Sequence, residues 1–261
     1  MDAEVSFKDR SFGLMFFGAY QIMLGLGSVC MVPLAILGMW MGQQQSGGIP
    51  MSVYTIASVI INYGGIGIAL CVLGAGSWRA RRWAQRLGLA LGITWLACGI
   101  GGMIAWLAML PVFPDYMRAV SAAYPAGAMP DSMITVSMIA GSIFIGILYV
   151  LLPLPIVIFY AGRNVAATCK WYDPTPRWTD RLPIPVLMAV IVWGATGLFM
   201  LAFLAGPLPA LGRVLTPPAA SVLALVLTGA FFALAYGLTT LRMRWWWFMV
   251  ALAALGTVNG V

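Results

Sequence analysis

The chain has 261 residues, of which 62% are apolar and 8% charged, and its mean hydropathy is +0.96. Soluble domains carry about 25% charged residues, so this composition excludes a soluble globular domain, a disordered chain and a nucleic-acid-binding module. The sequence also has no histidine, which removes the usual base of serine and cysteine nucleophiles and the ordinary ligand of haem.

The first apolar segment follows a short N-terminal stretch of mixed charge, Met1–Arg10. A cleavable signal peptide has a basic start, a short apolar core and a small-residue cleavage site. Here the apolar run continues from Phe12 to Met41, about 45 Å at 1.5 Å per residue. We therefore expect an uncleaved first helix, too long for an upright crossing, that tilts, protrudes or bends at Pro33.

Further apolar segments follow along the whole chain, and a membrane-spanning helix needs about 20 such residues. The sequence predicts an all-α, polytopic transmembrane bundle that forms a single integral membrane domain over residues 1–261. It has about seven spans, or six if the short last segment does not cross. The predicted spans are 12–41, 52–76, 88–110, 133–160, 183–206, 219–239 and 245–261. In the connection after the third span, Asp115–Tyr124 is predicted to form helical turns on the membrane surface.

Lysine and arginine are distributed very unevenly among the connections. The N-terminus, the connection at 77–87, the connection at 161–182 and the turn before the last segment carry two, four, four and two, twelve in all. The connections on the other side carry only Arg118 and Arg213. Because basic residues concentrate in cytoplasmic loops, we predict a cytoplasmic N-terminus and cytoplasmic basic loops. The net charge of +7 then reflects topology and gives no reason to expect an acidic substrate.

Tryptophans lie beside these basic connections, where aromatic rings occupy the headgroup level of a bilayer. We predict that they anchor the helices at the interface. They are Trp78, Trp83, Trp171, Trp245, Trp246 and Trp247.

The predicted spans contain no Asp, Glu, Lys or Arg. Charged residues inside a membrane usually mark proton relays, ion paths or voltage sensors, so pumps and voltage-gated channels are disfavoured. The only lysines, Lys8 and Lys170, lie outside the spans, so no Schiff base to retinal can form within the membrane. We predict no cofactor, although a bound lipid or pigment remains compatible with the sequence.

Small residues recur at helical spacing within two spans, a pattern that lets helix backbones approach closely in lipid. One interpretation is packing within the bundle, and the other is docking of another subunit along a glycine-lined face. The candidate positions are Gly88, Gly92 and Gly99 on the third span and Ser137, Gly141 and Gly146 on the fourth.

A few uncharged polar side chains fall inside the spans, and we single out Gln21, Asn62 and Tyr63. A side-chain amide in hydrocarbon needs a hydrogen-bond partner. These residues therefore form either bonds between helices or polar positions along a substrate path. Pro153, within the fourth span, removes a helical hydrogen bond and is expected to kink that helix.

The connection at 161–182 has the most distinctive composition. Its arginines are expected to pair with its aspartates or with lipid phosphate, and Trp178 lies among them. The interaction candidates are Arg163, Asp173, Arg177, Trp178, Asp180 and Arg181.

Two strings in the basic connections carry a resemblance. They are Gly-Ser-Trp-Arg-Ala-Arg-Arg-Trp-Ala at 76–84 and Asp-Pro-Thr-Pro-Arg-Trp-Thr-Asp-Arg at 173–181. Together with the order of the spans, they resemble a family of uncharacterised bacterial polytopic inner-membrane proteins. That family has no known activity, so the resemblance implies a multi-pass protein of the bacterial cell (inner) membrane and carries over no functional residues.

The sequence leaves three functions open. The first is a non-catalytic integral membrane subunit or scaffold, whose partners are the lipid bilayer and other membrane proteins and not nucleic acid. The alternative is a permease for a small neutral or apolar solute, favoured by the proline and glycine pattern. The third is a lipid-modifying membrane enzyme in which Asp173 and Asp180 act as acid and base.

Overall fold

The computed structural model describes residues 7–46, 53–122, 130–203, 208–210, 213–215 and 218–259. These residues are mainly helical, which confirms the predicted fold class, and one short antiparallel β-hairpin is added between the fifth and sixth predicted spans. The hairpin pairs β1 (Leu208–Ala210) with β2 (Arg213–Leu215). The α-helices are α1 (Ser11–Ser46), α2 (Val53–Val59), α3 (Gly65–Trp78), α4 (Arg82–Met109), α5 (Phe113–Ala122), α6 (Asp131–Ile145), α7 (Pro153–Tyr160), α8 (Arg163–Tyr172), α9 (Ile184–Met200), α10 (Ala219–Thr239) and α11 (Met243–Asn259).

Five of the described helical stretches are long and apolar enough to cross a membrane, so the chain has the build of a membrane-embedded protein. They are Ser11–Met41, Ile56–Trp78, Arg82–Met109, Asp131–Tyr160 and Ala219–Thr239. The other two predicted spans correspond to shorter helices, since α9 and α11 have 17 residues each. The span predicted over 183–206 gives way to a 3₁₀ turn at Leu201–Phe203.

Two of the long stretches contain a π-helical turn. Residues Ile60–Gly64 join α2 to α3, and residues Gly146–Leu151 join α6 to α7. The second lies just before Pro153, which has no N–H to offer the carbonyl of Tyr149. Next to it, the Leu152 N–H donates to the Ile147 carbonyl, five residues back, at 3.0 Å. A widened turn therefore occupies the place where the sequence predicts a kink.

Helices α1 and α3 pack antiparallel through glycines spaced seven residues apart. A methyl group on Gly18 would lie 2.7 Å from the carbonyl oxygen of Gly74, and one on Gly25 would lie 2.7 Å from that of Gly67. At such distances only hydrogen fits, so the two backbones approach as closely as helices can. This pairing is not among the sequence predictions, although the matching seven-residue spacings in the two helices are visible in the sequence.

Helix α4 occupies the middle of the bundle, because it packs on α7 and on α9. Two clusters of buried residues lie against it: its Leu89 and Trp95 pack on the first, and its Ala90 belongs to the second. One consists of Leu14, Ala80, Ile156, Tyr160, Val165 and Cys169. The other consists of Ala90, Leu182, Val186, Leu187, Leu234 and Leu238.

The basic connections meet at one end of the bundle, which we call the basic end. The Arg10 N–H donates to Thr168 of α8 at 3.0 Å, and Arg82 contacts Asp173. Residues 161–182, predicted as a loop, contain helix α8 and a 3₁₀ turn at Trp178–Arg181. Helix α8 is amphipathic, and its apolar residues Val165 and Cys169 complete the first core cluster.

Helix α5 lies in the connection after α4, at the end of the bundle away from the basic end. Its bounds overlap the helical turns predicted at 115–124. Arg118 bridges Asp115 and Asp131 there, at 3.0 Å to each carboxylate. These side chains are exposed, and exposed ion pairs of this kind contribute little to stability.

Candidate functional site

Four polar side chains, the buried polar cluster, join the helices at the basic end. They are Gln21, Ser77, Gln85 and Tyr160. The Ser77 hydroxyl donates to the Leu14 carbonyl at 3.2 Å and bonds the Tyr160 hydroxyl. The Gln21 side-chain oxygen lies 3.4 Å from the Tyr160 hydroxyl oxygen, and the Gln85 amide donates to the Tyr160 carbonyl at 2.8 Å. The cluster therefore ties α1, α3 and α4 to the end of α7.

Only Gln21 of this cluster was selected from the sequence. Ser77, Gln85 and Tyr160 lie near the ends of predicted spans, where polar residues are ordinary, so their burial carries no signal in the sequence. An unbonded polar group in hydrocarbon costs several kcal/mol, on the order of 2–7. Bonding among these side chains removes most of that cost. Gln21 therefore links α1 to the end of α7.

The other two polar candidates lie elsewhere. Asn62 belongs to the π-helical turn at Ile60–Gly64 and donates to the Ser58 carbonyl of its own helix at 2.9 Å. Tyr63 is 42% exposed, and its carbonyl accepts from the Ser28 hydroxyl. Asn62 precedes Ser77 by fifteen residues on a helical stretch, a distance of about 22 Å. Gln21 and Asn62 therefore do not come together on one polar path.

The predicted small-residue positions all meet groups of the same chain. A methyl group on Gly99 would overlap the Tyr149 carbonyl, four residues before Pro153. Methyl groups on Gly92 and Gly141 would lie 3.1 Å from Ile156 and 3.0 Å from the Trp106 ring. Gly88 faces Gln21 and Tyr160, Gly146 faces Met103, and the Ser137 hydroxyl donates to the Ile134 carbonyl of its own helix. The five glycines therefore lie against other helices of the bundle, whereas the hydroxyl of Ser137 bonds within its own helix.

Asp173 is the centre of an ion-pair cluster that connects the α3–α4 turn to the segment after α8. Its side chain is 3% exposed and lies 3.7 Å from Arg81 and 3.6 Å from Arg177. It also accepts from the Thr175 hydroxyl at 3.0 Å and the Arg82 N–H at 3.4 Å. Burial by itself raises the pKa of Asp173, but these bonds and the two arginines outweigh it and lower the pKa below the usual range.

Asp180 is the second carboxylate of the cluster. It lies 3.4 Å from Arg82 and 3.9 Å from Arg86, and it accepts from the Arg177 N–H at 2.8 Å. Arg86 also donates to the carbonyls of Asp180 and Leu182. The ion-pair cluster therefore comprises Arg81, Arg82, Arg86, Asp173, Arg177 and Asp180.

The sequence predicts that the arginines of the connection at 161–182 pair with its aspartates or with lipid phosphate, and one of them pairs with an aspartate in the described residues. Arg177 does pair with Asp173, but Arg163 and Arg181 are exposed and form no ion pair within the described residues. Their places are taken by arginines of the other basic connection, for which the sequence predicts no ion pair. Their pairing connects residues about ninety positions apart, so local sequence cannot show it.

The tryptophans fall into an exposed group of four and a group of three that pack within the chain. Trp78, Trp171, Trp178 and Trp247 are between 49% and 72% exposed, consistent with rings that face lipid or its headgroups. Trp83 covers Gly76 and Trp245 covers Gly237, so these two rings close helix turns. Trp246 packs partly against the second core cluster.

Two clefts flank the ion-pair cluster. One, of about 400 Å³, is lined by Arg79, Arg81 and Arg177 with the apolar Val72 and Trp83. The other, of about 380 Å³, lies between α4 and α8 and is lined by Gln85, Lys170 and Asp180 among others. The first has three guanidinium groups and no carboxylate on its wall, whereas the second is of mixed charge.

The chemistry available at this end is limited. Asp173 is held ionised by its partners, which leaves no proton for a general acid at neutral pH. Burial, with Asp173 nearby, raises the pKa of the Cys169 thiol to about 12, so this side chain stays protonated. Within the described residues, no three Cys, Asp or Glu side chains group as a metal site. The arrangement suits holding helices together and binding an anion.

The chain matches no protein-family model, no curated protein and no solved structure. Its function is therefore inferred from the contacts and charges described above.

Proposed function

We propose that this protein is a non-catalytic integral membrane subunit or scaffold, which packs against other membrane proteins in a larger assembly. In this proposal it is a multi-pass protein of the bacterial inner membrane with its basic end in the cytoplasm. Helices α9 and α11 then cross as the fifth and seventh spans, with the β-hairpin on the outer side.

One observation carries the proposal: the side chains suited to chemistry or transport are engaged in contacts within the chain. Gln21 is bonded to Tyr160, Asn62 to its own helix, and Asp173 and Asp180 to arginines. A permease needs polar groups facing a path, and a lipid-modifying enzyme needs a carboxyl group free to exchange a proton. Neither alternative gains support from these contacts.

The outward surface suits partners that are themselves membrane helices. Glycines with open space beside them lie on exposed faces of two long helices, Gly27 and Gly38 on α1 and Gly101 and Gly102 on α4. Substitution there changes only the outer surface, which makes these positions useful for testing assembly without disturbing the fold.

The test is mild-detergent extraction of the tagged chain from its native membranes, followed by native electrophoresis and mass spectrometry. We expect the 28.0 kDa chain to migrate with one or more membrane proteins in fixed stoichiometry. Recovery of the chain only as a free monomer, while a reference complex from the same membranes stays intact, would overturn the proposal.

A matched pair of variants sharpens the test. Gly38→Leu and Gly102→Leu should leave the monomer folded, because nothing lies within 4 Å of either position. Loss of co-purification with one of them and retention with the other would identify the helix that faces the partner. If both variants keep the partner, the contact lies on another helix, whereas an unfolded monomer would contradict the packing described here.

A further inference from the structure

The cleft beside the α3–α4 turn combines positive charge with an apolar wall. Arg79 and Arg81 reach it from the two sides of Ala80, whose φ of 51° places the backbone in the left-handed region. Arg177 reaches it from the segment after α8. Residues from two distant parts of the chain thus converge on a space of about 400 Å³.

The charges on this cleft are incompletely compensated. Asp173 lies behind Arg81 and Arg177 at 3.7 and 3.6 Å, so one carboxylate serves two guanidinium groups. Arg79 is exposed and forms no ion pair within the described residues. Three arginines against one carboxylate leave two positive charges. At these distances neither guanidinium is hydrogen-bonded to Asp173, and each has five N–H donors, so donors remain for a ligand.

Two of the three arginines also lie beside a fixed carboxylate. Asp173 is buried and fixed by Thr175 and the Arg82 N–H, so it restrains Arg81 and Arg177 without enclosing them. Their side chains stay 43% and 44% exposed. A guanidinium restrained in this way loses less freedom on binding an anion, which favours affinity.

The wall of the cleft continues down helix α3 as an apolar stripe. Ala75 and Val72 lie one and two turns from Arg79, and Ile68 lies one turn further along the same face. Ile68 is 64% exposed and Val72 is 53% exposed. The stripe from Arg79 to Ile68 covers about 16 Å along the helix and belongs to the candidate span Ile56–Trp78.

We propose that this cleft binds the phosphate of an anionic glycerophospholipid, with an acyl chain along the α3 stripe. The guanidinium groups match a phosphate in charge and geometry. The apolar stripe below them distinguishes a lipid from free inorganic phosphate, which would gain nothing from Val72 or Ile68. The site does not depend on whether the protein assembles with partners.

The α10–α11 turn provides a matched control. Arg242 and Arg244 are exposed beside Trp245, and the exposed Arg79 and half-buried Arg81 line one cleft with Trp83. Within the described residues, no ion pair joins that turn to another segment. Arg79→Gln and Arg244→Gln therefore remove the same charge at the same end of the bundle, and only Arg79→Gln alters the cleft.

The experiment is native mass spectrometry of the full chain in detergent, titrated with phosphatidylglycerol, phosphatidylcholine or inorganic phosphate. We expect wild type and Arg244→Gln to bind phosphatidylglycerol alike and more tightly than phosphatidylcholine. Arg79→Gln should weaken binding about tenfold, the factor for one lost hydrogen bond to a charged group. Thermal unfolding without lipid checks that both variants are folded.

Three results would overturn the proposal. Equal weakening by Arg79→Gln and Arg244→Gln would mean that only the general surface charge matters. Equal binding of the two lipids would remove the role of the headgroup charge. Displacement of phosphatidylglycerol by an equal concentration of inorganic phosphate would show a free-anion site. If Arg79→Gln proves unfolded, Val72→Asp, which places a negative charge at the exposed wall, takes its place and should also weaken binding.

Discussion

The α3–α4 turn and the α10–α11 turn are built alike in the backbone. In each, one non-glycine residue has a left-handed backbone, Ala80 with φ 51° and Leu241 with φ 53°. Four residues earlier stands a glycine, Gly76 or Gly237, covered by the tryptophan that follows the turn. Both turns therefore reverse a helix in a few residues by the same local device.

Their charged side chains have different environments. The arginines of the first turn meet Asp173 and Asp180, whereas those of the second meet no carboxylate within the described residues. Arg244 instead lies over the Trp245 ring, with its guanidinium carbon 5.7 Å from the ring centre. The two turns have similar sequences, but a distant segment supplies carboxylates only to the first. Ion pairs therefore connect only the first turn to the segment after α8.

Removing the two arginines that flank Asp173, one from the first turn and one from the segment after α8, should separate the two environments most clearly when compared with removing the two arginines of the second turn. Arg81→Ala with Arg177→Ala leaves the buried Asp173 carboxylate with no arginine side chain at 4 Å or less, which should cost about 3 kcal/mol of unfolding free energy. Arg242→Ala with Arg244→Ala should cost at most about 1 kcal/mol, the worth of an exposed cation–π contact. Denaturant unfolding in detergent measures both, and equal losses would contradict the distinction.

Substituting the glycine of each turn tests the feature that the two turns share, a glycine covered by a tryptophan ring. Gly76→Ala places a methyl group 2.7 Å from the Ala84 Cβ and the Trp83 ring, and Gly237→Ala places one inside the Trp245 ring. Each should destabilise by about 1–3 kcal/mol through overpacking. Gly229→Ala, on α10 with open space beside it, is the control and should be neutral or stabilising. A neutral Gly237→Ala would mean that Trp245 does not close its turn.

Lowering the pH should weaken the contacts of the α3–α4 turn and leave those of the α10–α11 turn unchanged. The pKa of folded Asp173 lies below its ordinary value, so its contribution to stability is full above the unfolded pKa of about 4. That contribution is lost as the pH falls through the lower, folded pKa. Asp173→Asn should flatten this part of the pH–stability curve, measured by thermal unfolding between pH 7 and pH 3. The same curve for Arg242→Ala with Arg244→Ala should keep the wild-type shape.

The smallest effect is expected at the left-handed residues themselves. A non-glycine residue in this conformation costs about 1–2 kcal/mol, and glycine loses about 0.5–1 kcal/mol more entropy on folding. Leu241→Gly should therefore raise the melting temperature slightly. Ala80→Gly should change it less, because it also removes a methyl group from the first core cluster. A lower melting temperature for Leu241→Gly would indicate that the exposed leucine packs against something.

The fold class follows from short-range information. An apolar run of about 20 residues has few alternatives to a helix in a membrane, so the long helices were predicted with nearly correct bounds. Helix α8 was missed because it is amphipathic and polar on one side, which makes it resemble a loop by composition. The glycines on α4 were predicted as packing positions, but the seven-residue pairing of α1 with α3 was not.

The amino-acid sequence by itself determined that this chain is a helical membrane protein, that its basic residues gather in a few connections, and which glycines of the third and fourth predicted spans permit close contacts. These properties depend on composition and on spacing within one segment. Only the tertiary structure decided which arginines meet Asp173 and Asp180, that Gln21 bonds Tyr160, and that three arginines share one cleft. Such contacts join residues up to about 140 positions apart, and their energy depends on burial and distance, which no local pattern contains.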